Sequence, residues 1–156
     1  MEKPIDSIEL RTDMVRVIMT SLTDRPGVAA GIFTRLGEAG FNVEVISQTG
    51  AAIGHCDIAM AVEESESERI LDFLRKHQDE IGARGLLLER NLAMIGVFGH
   101  RLAASAGTAG QIFKILSDMG INIEVISAGP VSMTLMLPRS QGQRACDAIR
   151  DAFGLK

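Results

Sequence analysis

Ile32–Ser47 (IFTRLGEAGFNVEVIS) and Ile112–Ser127 (IFKILSDMGINIEVIS) agree at nine of sixteen positions without a gap, at a spacing of 80 residues. That period is too long for most solenoid repeats, and two copies are too few for an array. In a chain of 156 residues it implies two small modules rather than one ordinary domain. Each element must then be found twice. The two copies differ at their openings: Asp24-Arg25-Pro26-Gly27 in the first stands as Ala104-Ser105-Ala106-Gly107 in the second.

Ser7–Thr12 (SIELRT) and Val15–Leu22 (VRVIMTSL) read as two strands, the second β-branched and alternating. Pro26 suits the first position of a helix, where its fixed φ is already helical and its missing N–H has no partner to lose. Val28, Ile32 and Leu36 recur at helical spacing, and Gly40 stands where a glycine free to take positive φ closes a helix. FNVEVIS and CDIAMAV follow as strands around the loose stretch QTGAAIGH. Ser65 and Glu68 have the spacing of a capping box, opening a helix whose apolar face is Ile70, Leu74, His77 and Ile81. RGLLLE and LAMIGVFG read as strands around a turn at Arg90-Asn91. The second copy repeats the series: a helix from about Gly107 to Met119, the strands INIEVIS and VSMTLML, and a last helix from Ser140. In that last helix Ala145, Ala148, Ile149 and Ala152 face inward. Its second strand lies 75 rather than 80 residues after its counterpart, so the first copy has a loop about five residues longer.

The first module, residues 14–90, therefore reads β-α-β-β-α-β. This is the split βαβ, ferredoxin-like order, an α+β fold with an antiparallel sheet and two helices on one face. The second module reads β-α-β-β-α and stops one strand short, while the N-terminal strand is left over. The economical arrangement lends residues 5–12 to residues 91–156, so that the first module is inserted in the second. An extra edge strand or a disordered tail is the alternative.

Composition narrows the function. The net charge is −4 and the six aromatics are all Phe. There is neither a basic stripe for nucleic acid nor a Trp or Tyr platform for single strands. Cys56 and Cys146 stand far apart and outside any CxxC, which fits reduced thiols in a cytoplasmic protein. No run of about 18 apolar residues is present to span a bilayer, and the N-terminus lacks the apolar core of a signal peptide.

Four features could carry chemistry. Gly99, Gly107 and Gly110 lie between a strand and a helix, but their spacing matches neither nucleotide-binding motif. A turn with close packing explains them. His55-Cys56-Asp57 puts His55 and Asp57 on one face of a strand, two ligands where a metal needs three or four. The carboxylates of AVEESESERI sit at a helix start, where they complement the dipole. No catalytic, metal or cofactor constellation emerges. The fourth feature is the loop at Asp24. A strand-to-helix turn presents free backbone N–H groups that receive a carboxylate, and Asp24 supplies the partner for an ammonium. Asp24 as a plain helix cap is the other reading.

DRPGVAAGIF…AGFNVEVISQ, followed by GINIEVIS and a terminal AIRDAFGL, resembles the regulatory region of aspartokinases, a tandem pair of ACT domains. The likeness runs from about Ile8 to Leu155. It implies an allosteric protein that binds an amino acid, lysine or threonine, between the strand-to-helix loop of one module and a facing module. It also implies a homodimer, and a kinase catalytic subunit as partner. Carried over by motif, the ligand-binding residues are Asp24, Pro26, Gly27, Val28, Ala29, Asn42, Gln48, Asn122 and Ile123. No kinase domain is present, so the expectation is a regulatory chain and not an enzyme. The second loop has lost both its carboxylate and its proline and is expected to be structural. A dimerisation module with a vestigial pocket is the alternative function.

Overall fold

The computed structural model describes residues 3–156. The chain divides into two compact units: Asp13–Arg90, and the N-terminal segment up to Thr12 joined with Asn91–Lys156. The elements in order are β1 (Ser7–Thr23), α1 (Val28–Glu38), β2 (Glu44–Gly50), β3 (His55–Glu63), α2 (Ser67–Lys76), α3 (Gln78–Ile81), β4 (Gly85–Phe98), α4 (Thr108–Asp118), β5 (Val125–Ala128), β6 (Ser132–Pro138) and α5 (Gly142–Phe153).

Within Asp13–Arg90 the strand order is β2-β3-β1-β4, antiparallel where β3 meets β1 and β2. Alternation puts Val15, Val17 and Met19 of β1 and Cys56, Ile58, Met60 and Val62 of β3 on one face. There they form a core with Ile32 and Leu36 of α1 and Ile70, Leu71 and Leu74 of α2. The other unit has the order β1-β4-β6-β5, with the N-terminal part of β1 filling the place that β4 fills in the first. Its core joins Ile5 to Ile95, Val97, Leu135, Ile112, Leu116 and Ile149. Both units are ferredoxin-like, and the first is inserted in the second.

The N-terminal segment is seated closely in the host. The Asp6 N–H donates to the Phe98 carbonyl at 2.8 Å, and Ile5 is fully buried. Gly99 cannot carry a side chain, because a Cβ there would lie 2.1 Å from the Pro4 carbonyl oxygen. Asp6 Oδ2 accepts from the His100 N–H at 2.9 Å and faces its Nδ1 at 2.7 Å. The backbone N–H and then the imidazole of His100 hold the Asp6 carboxyl below its ordinary value of 3.8. A depressed carboxylate contributes stability above its unfolded value and loses it as pH falls through the folded one. Acid titration below pH 3.8 should therefore lower the melting temperature less steeply in Asp6→Asn than in the wild type. Parallel curves would remove Asp6 from this role.

Several boundaries differ from the sequence reading. SIELRT and VRVIMTSL are one strand, as are RGLLLE and LAMIGVFG. Asn91 bends the latter at φ 61 rather than ending it, a conformation asparagine tolerates. The Ser65 capping box does not form. Residues Glu64–Glu66 make a 3₁₀ turn, α2 starts at Ser67, and the Ser67 hydroxyl donates to the Glu64 carbonyl at 2.7 Å. The helix expected to reach Ile81 breaks at His77 into α2 and α3. Ser140 likewise lies in a 3₁₀ turn before α5, whose buried face is Ala145, Cys146 and Ile149, with Ala148 half-buried and Ala152 exposed.

The five extra residues of the first copy lengthen a whole hairpin. β2 runs to Gly50 and β3 starts at His55, whereas β5 ends at Ala128 and β6 starts at Ser132. The longer β3 gives β1 a partner as far as Thr23, opposite His55. In the second copy β6 begins opposite Phe98, so Gly99–Ala103 has no strand to pair with and coils into turns. Its N–H groups find carbonyls at Val131 and Pro130 instead.

Candidate functional site

The loop from β1 to α1 begins where the Asp24 N–H donates to the Gly54 carbonyl at 2.9 Å. Gly27 is the N-cap of α1 at φ 92, and among the described residues no side chain caps that helix. Pro26 thus precedes the cap instead of opening the helix. Asp24 is not a cap either: Gln48 Nε2 approaches its Oδ1 at 3.5 Å. A carboxylate at the end of β1 and a carboxamide on β2 meet beside the loop.

The second copy keeps the last turn into its helix, without the proline, but reaches it differently: the Ala104 N–H donates to the Arg101 carbonyl at 3.1 Å, where the Asp24 N–H donates to Gly54. Gly107 caps α4 at φ 85, and the Gln111 N–H reaches the Gly107 carbonyl at 2.8 Å as the Gly31 N–H reaches Gly27 at 2.9 Å. The shape is set by glycine at positive φ. The copies differ in side chains: Ala104 and Ala128 stand where Asp24 and Gln48 stand.

The bulge before the loop has its own support. Ser21 takes φ 54 where the β1–β3 register slips between Met19 and Leu22. Its N–H, displaced from the ladder, donates to Asp57 Oδ1 at 2.9 Å. Asp57 is therefore engaged in holding β1 and is not aimed outward with His55. Burial pushes the Cys56 thiol up, and the carboxylates of Asp24 and Asp57 add to the shift. Among the described residues no group of three His, Cys, Asp or Glu is placed to hold a metal ion.

The nine residues expected to bind a ligand are not all gathered in one place. Pro26, Gly27 and Val28 line a cavity of about 300 Å³ whose far wall is α3. Ala29 packs half-buried against the core. Asn42 lines a separate cavity with Gly40, Glu63, Glu66 and Arg69. Asn122 and Ile123 belong to the other unit, where they line a groove with Phe113 and Ser117. Sequence reasoning missed the charges of the α3 cavity: Arg25, and the ion pair of Arg35 with Glu80. The i, i+10 distance between Arg25 and Arg35, and a partner on another helix, leave no local pattern to find. Glu80 Oε2 also lies 3.9 Å from His77 Nδ1. Among the described residues no helix is long and apolar enough to cross a membrane.

A family model described as "ACT domain" matches residues 15–78 and 95–153. The chain is 27% identical over 157 residues to an aspartokinase of Thermus thermophilus, covering 99% of this chain and 38% of that protein's length. Among solved structures it superposes on the ligand-free regulatory subunit of aspartate kinase from Thermus thermophilus with a TM-score of 0.87 and 26% identity, covering 97% of this chain and 99% of that one. A structure of aspartokinase alpha and beta subunits matches with a TM-score of 0.86, 25% identity and the same coverage.

Proposed function

The chain belongs to the ACT domain family, and from that premise we propose that it is an amino-acid-binding regulatory protein, sensing lysine or threonine on behalf of an aspartokinase catalytic subunit. The observation that carries the reading is the approach of Gln48 to Asp24 beside the turn into α1, a turn that the second unit repeats at Gly107 without either side chain. A zwitterion needs an anion for its ammonium and N–H donors for its carboxylate. Asp24 and the N–H groups near Gly27–Ala29 supply both. Asn42, Asn122 and Ile123, carried over from the family's motif, are proposed as further effector contacts. Likeness along nearly the full length of a solved regulatory subunit supports a role beside a separate kinase chain.

A second copy of this chain is the other proposed partner. β2 and β5 are the outer strands of their units, and each exposes an isoleucine, Ile46 and Ile126, at matching positions of the repeat. Unpaired strand edges are templates for pairing with another chain.

Thermal shift against the twenty amino acids tests the reading. Lysine or threonine should raise the melting temperature through preferential binding to the folded state. No shift from either would favour a dimerisation module with a vestigial pocket.

A further inference from the structure

Of the four residues that open the first copy, Arg25 is the one that the effector reading leaves unused. Its side chain is exposed and borders the α3 cavity, on the helix side of the loop. Arg35 of α1 and Glu80 of α3, ion-paired to each other, both line the same cavity, and Val28, Ile32 and Ile81 give it apolar walls. The volume, about 300 Å³, stands at the lower end of the range for small-molecule sites, roughly 300–1,000 Å³. That volume is of a size to admit a single amino acid.

The charges restrict the occupant further. Two guanidiniums and one carboxylate leave the lining with an excess of one positive charge. Guanidiniums favour carboxylates through paired, charge-assisted hydrogen bonds. A plain carboxylate would leave Glu80 without a use. A basic amino acid would add to the positive excess.

The first copy is alone in building this lining. Ser105 and Ile115 stand where Arg25 and Arg35 stand, so the second copy lacks both guanidiniums. An ion pair that only tied α1 to α3 would contribute little at this exposure, and it would give Arg25 no part.

We propose that the cavity between the β1–α1 loop and α3 is a second ligand site, and that it takes a small dicarboxylic amino acid. One carboxylate meets Arg25, the other meets Arg35, and the ammonium meets Glu80. The methylene carbons lie along Val28 and Ile81. The site lies on the α3 side of the loop; it shares Pro26, Gly27 and Val28 with the effector reading, but neither Asp24 nor Gln48 lines it.

Calorimetry on the full chain with L-aspartate and L-glutamate tests this. At least one should bind, and Arg25→Ala should weaken it roughly tenfold or more, the loss of a charge-assisted contact. Asp24→Ala should leave that affinity within about twofold, because Asp24 is not among the residues that line the α3 cavity. Arg25 is exposed, so its variant should melt with the wild type. No heat from either ligand up to about 10 mM would overturn the proposal. So would equal affinity in Arg25→Ala, or loss of dicarboxylate binding in Asp24→Ala. The last result would place the acidic ligand at the Asp24 site and leave the effector reading standing. Loss of lysine or threonine binding in Asp24→Ala with dicarboxylate binding intact would support both sites.

Discussion

Deleting the residues before Asp13 is expected to unfold the host unit. The deletion removes Ile5, fully buried in the host core. Truncating a buried isoleucine to alanine alone costs about 2–5 kcal/mol. It also removes the ladder partner of β4, beginning with the Asp6–Phe98 hydrogen bond at 2.8 Å. Two further links go with it, from Arg150 to the Ile8 carbonyl at 3.3 Å and from Lys3 to the Gly154 carbonyl. In a unit this small each kcal/mol is worth roughly 4–8 °C, so a fall of more than about 12 °C is expected. Scanning calorimetry of the truncated chain should show this transition separating from that of Asp13–Arg90, which keeps all four of its strands. A single transition at the wild-type temperature would show that the N-terminal segment does not complete the host sheet.

Asp24→Ala should weaken effector binding by roughly 30-fold or more, because the bound effector covers the exposed Asp24, and truncating one partner of a charge pair desolvated in this way costs about 2–5 kcal/mol. Folding should be nearly unaffected. α1 is capped by Gly27 and takes no side-chain hydrogen bond from Asp24, whose recorded partner is Gln48 at 3.5 Å. The reciprocal change, Ala104→Asp, should not create a site. The missing proline is not the reason, since the second loop keeps the same turn at Gly107. Position 104 lies in turns, its N–H bonded to the Arg101 carbonyl at 3.1 Å, and Ala128 supplies no carboxamide in the place of Gln48. Calorimetry with the effector on both variants decides the matter. Undiminished binding in Asp24→Ala would remove the loop's carboxylate from the site.

The features legible in the sequence were those fixed by local chemistry or by repetition. Apolar spacing located Ile32 and Leu36 on α1 and Ile70 and Leu74 on α2. Gly40 and Gly120 at φ 82 and 70 do close their helices, with matching bonds from Phe41 to Leu36 and from Ile121 to Leu116. Features set by distant pairing were not legible. The pattern Ser65–Glu68 is a sound cap signal, yet the chain turns once more before α2, and Glu68 pairs with Arg90. Val45 takes φ 49, costly for a β-branched residue, while Val125 in the same EVIS motif does not. The register slip between Glu44 and Ser47, a property of the hairpin and not of the motif, places it there. For the proposed site, physical reasoning pointed to Asp24 and the family resemblance to Gln48, whose Nε2 lies 3.5 Å from Asp24 Oδ1. Neither reached Arg35 or Glu80, because nothing in sequence links residues 45 apart on two helices.

The insertion has an entropic consequence. The inserted unit begins on β1 and ends on β4, neighbouring strands tied by Arg16 to Glu89 at 3.1 Å and by Arg84 N–H to the Thr20 carbonyl at 3.0 Å. Its two ends therefore leave it side by side. A flexible connection from Thr12 to Asn91 would charge the host the closure entropy of a long loop, which grows with the logarithm of its length. Once folded, the insert presents the host with two ends already at strand spacing, as a tight turn would. Lengthening a loop inside the insert should then leave the host's closure entropy unchanged, so the host is insulated from how large its guest becomes.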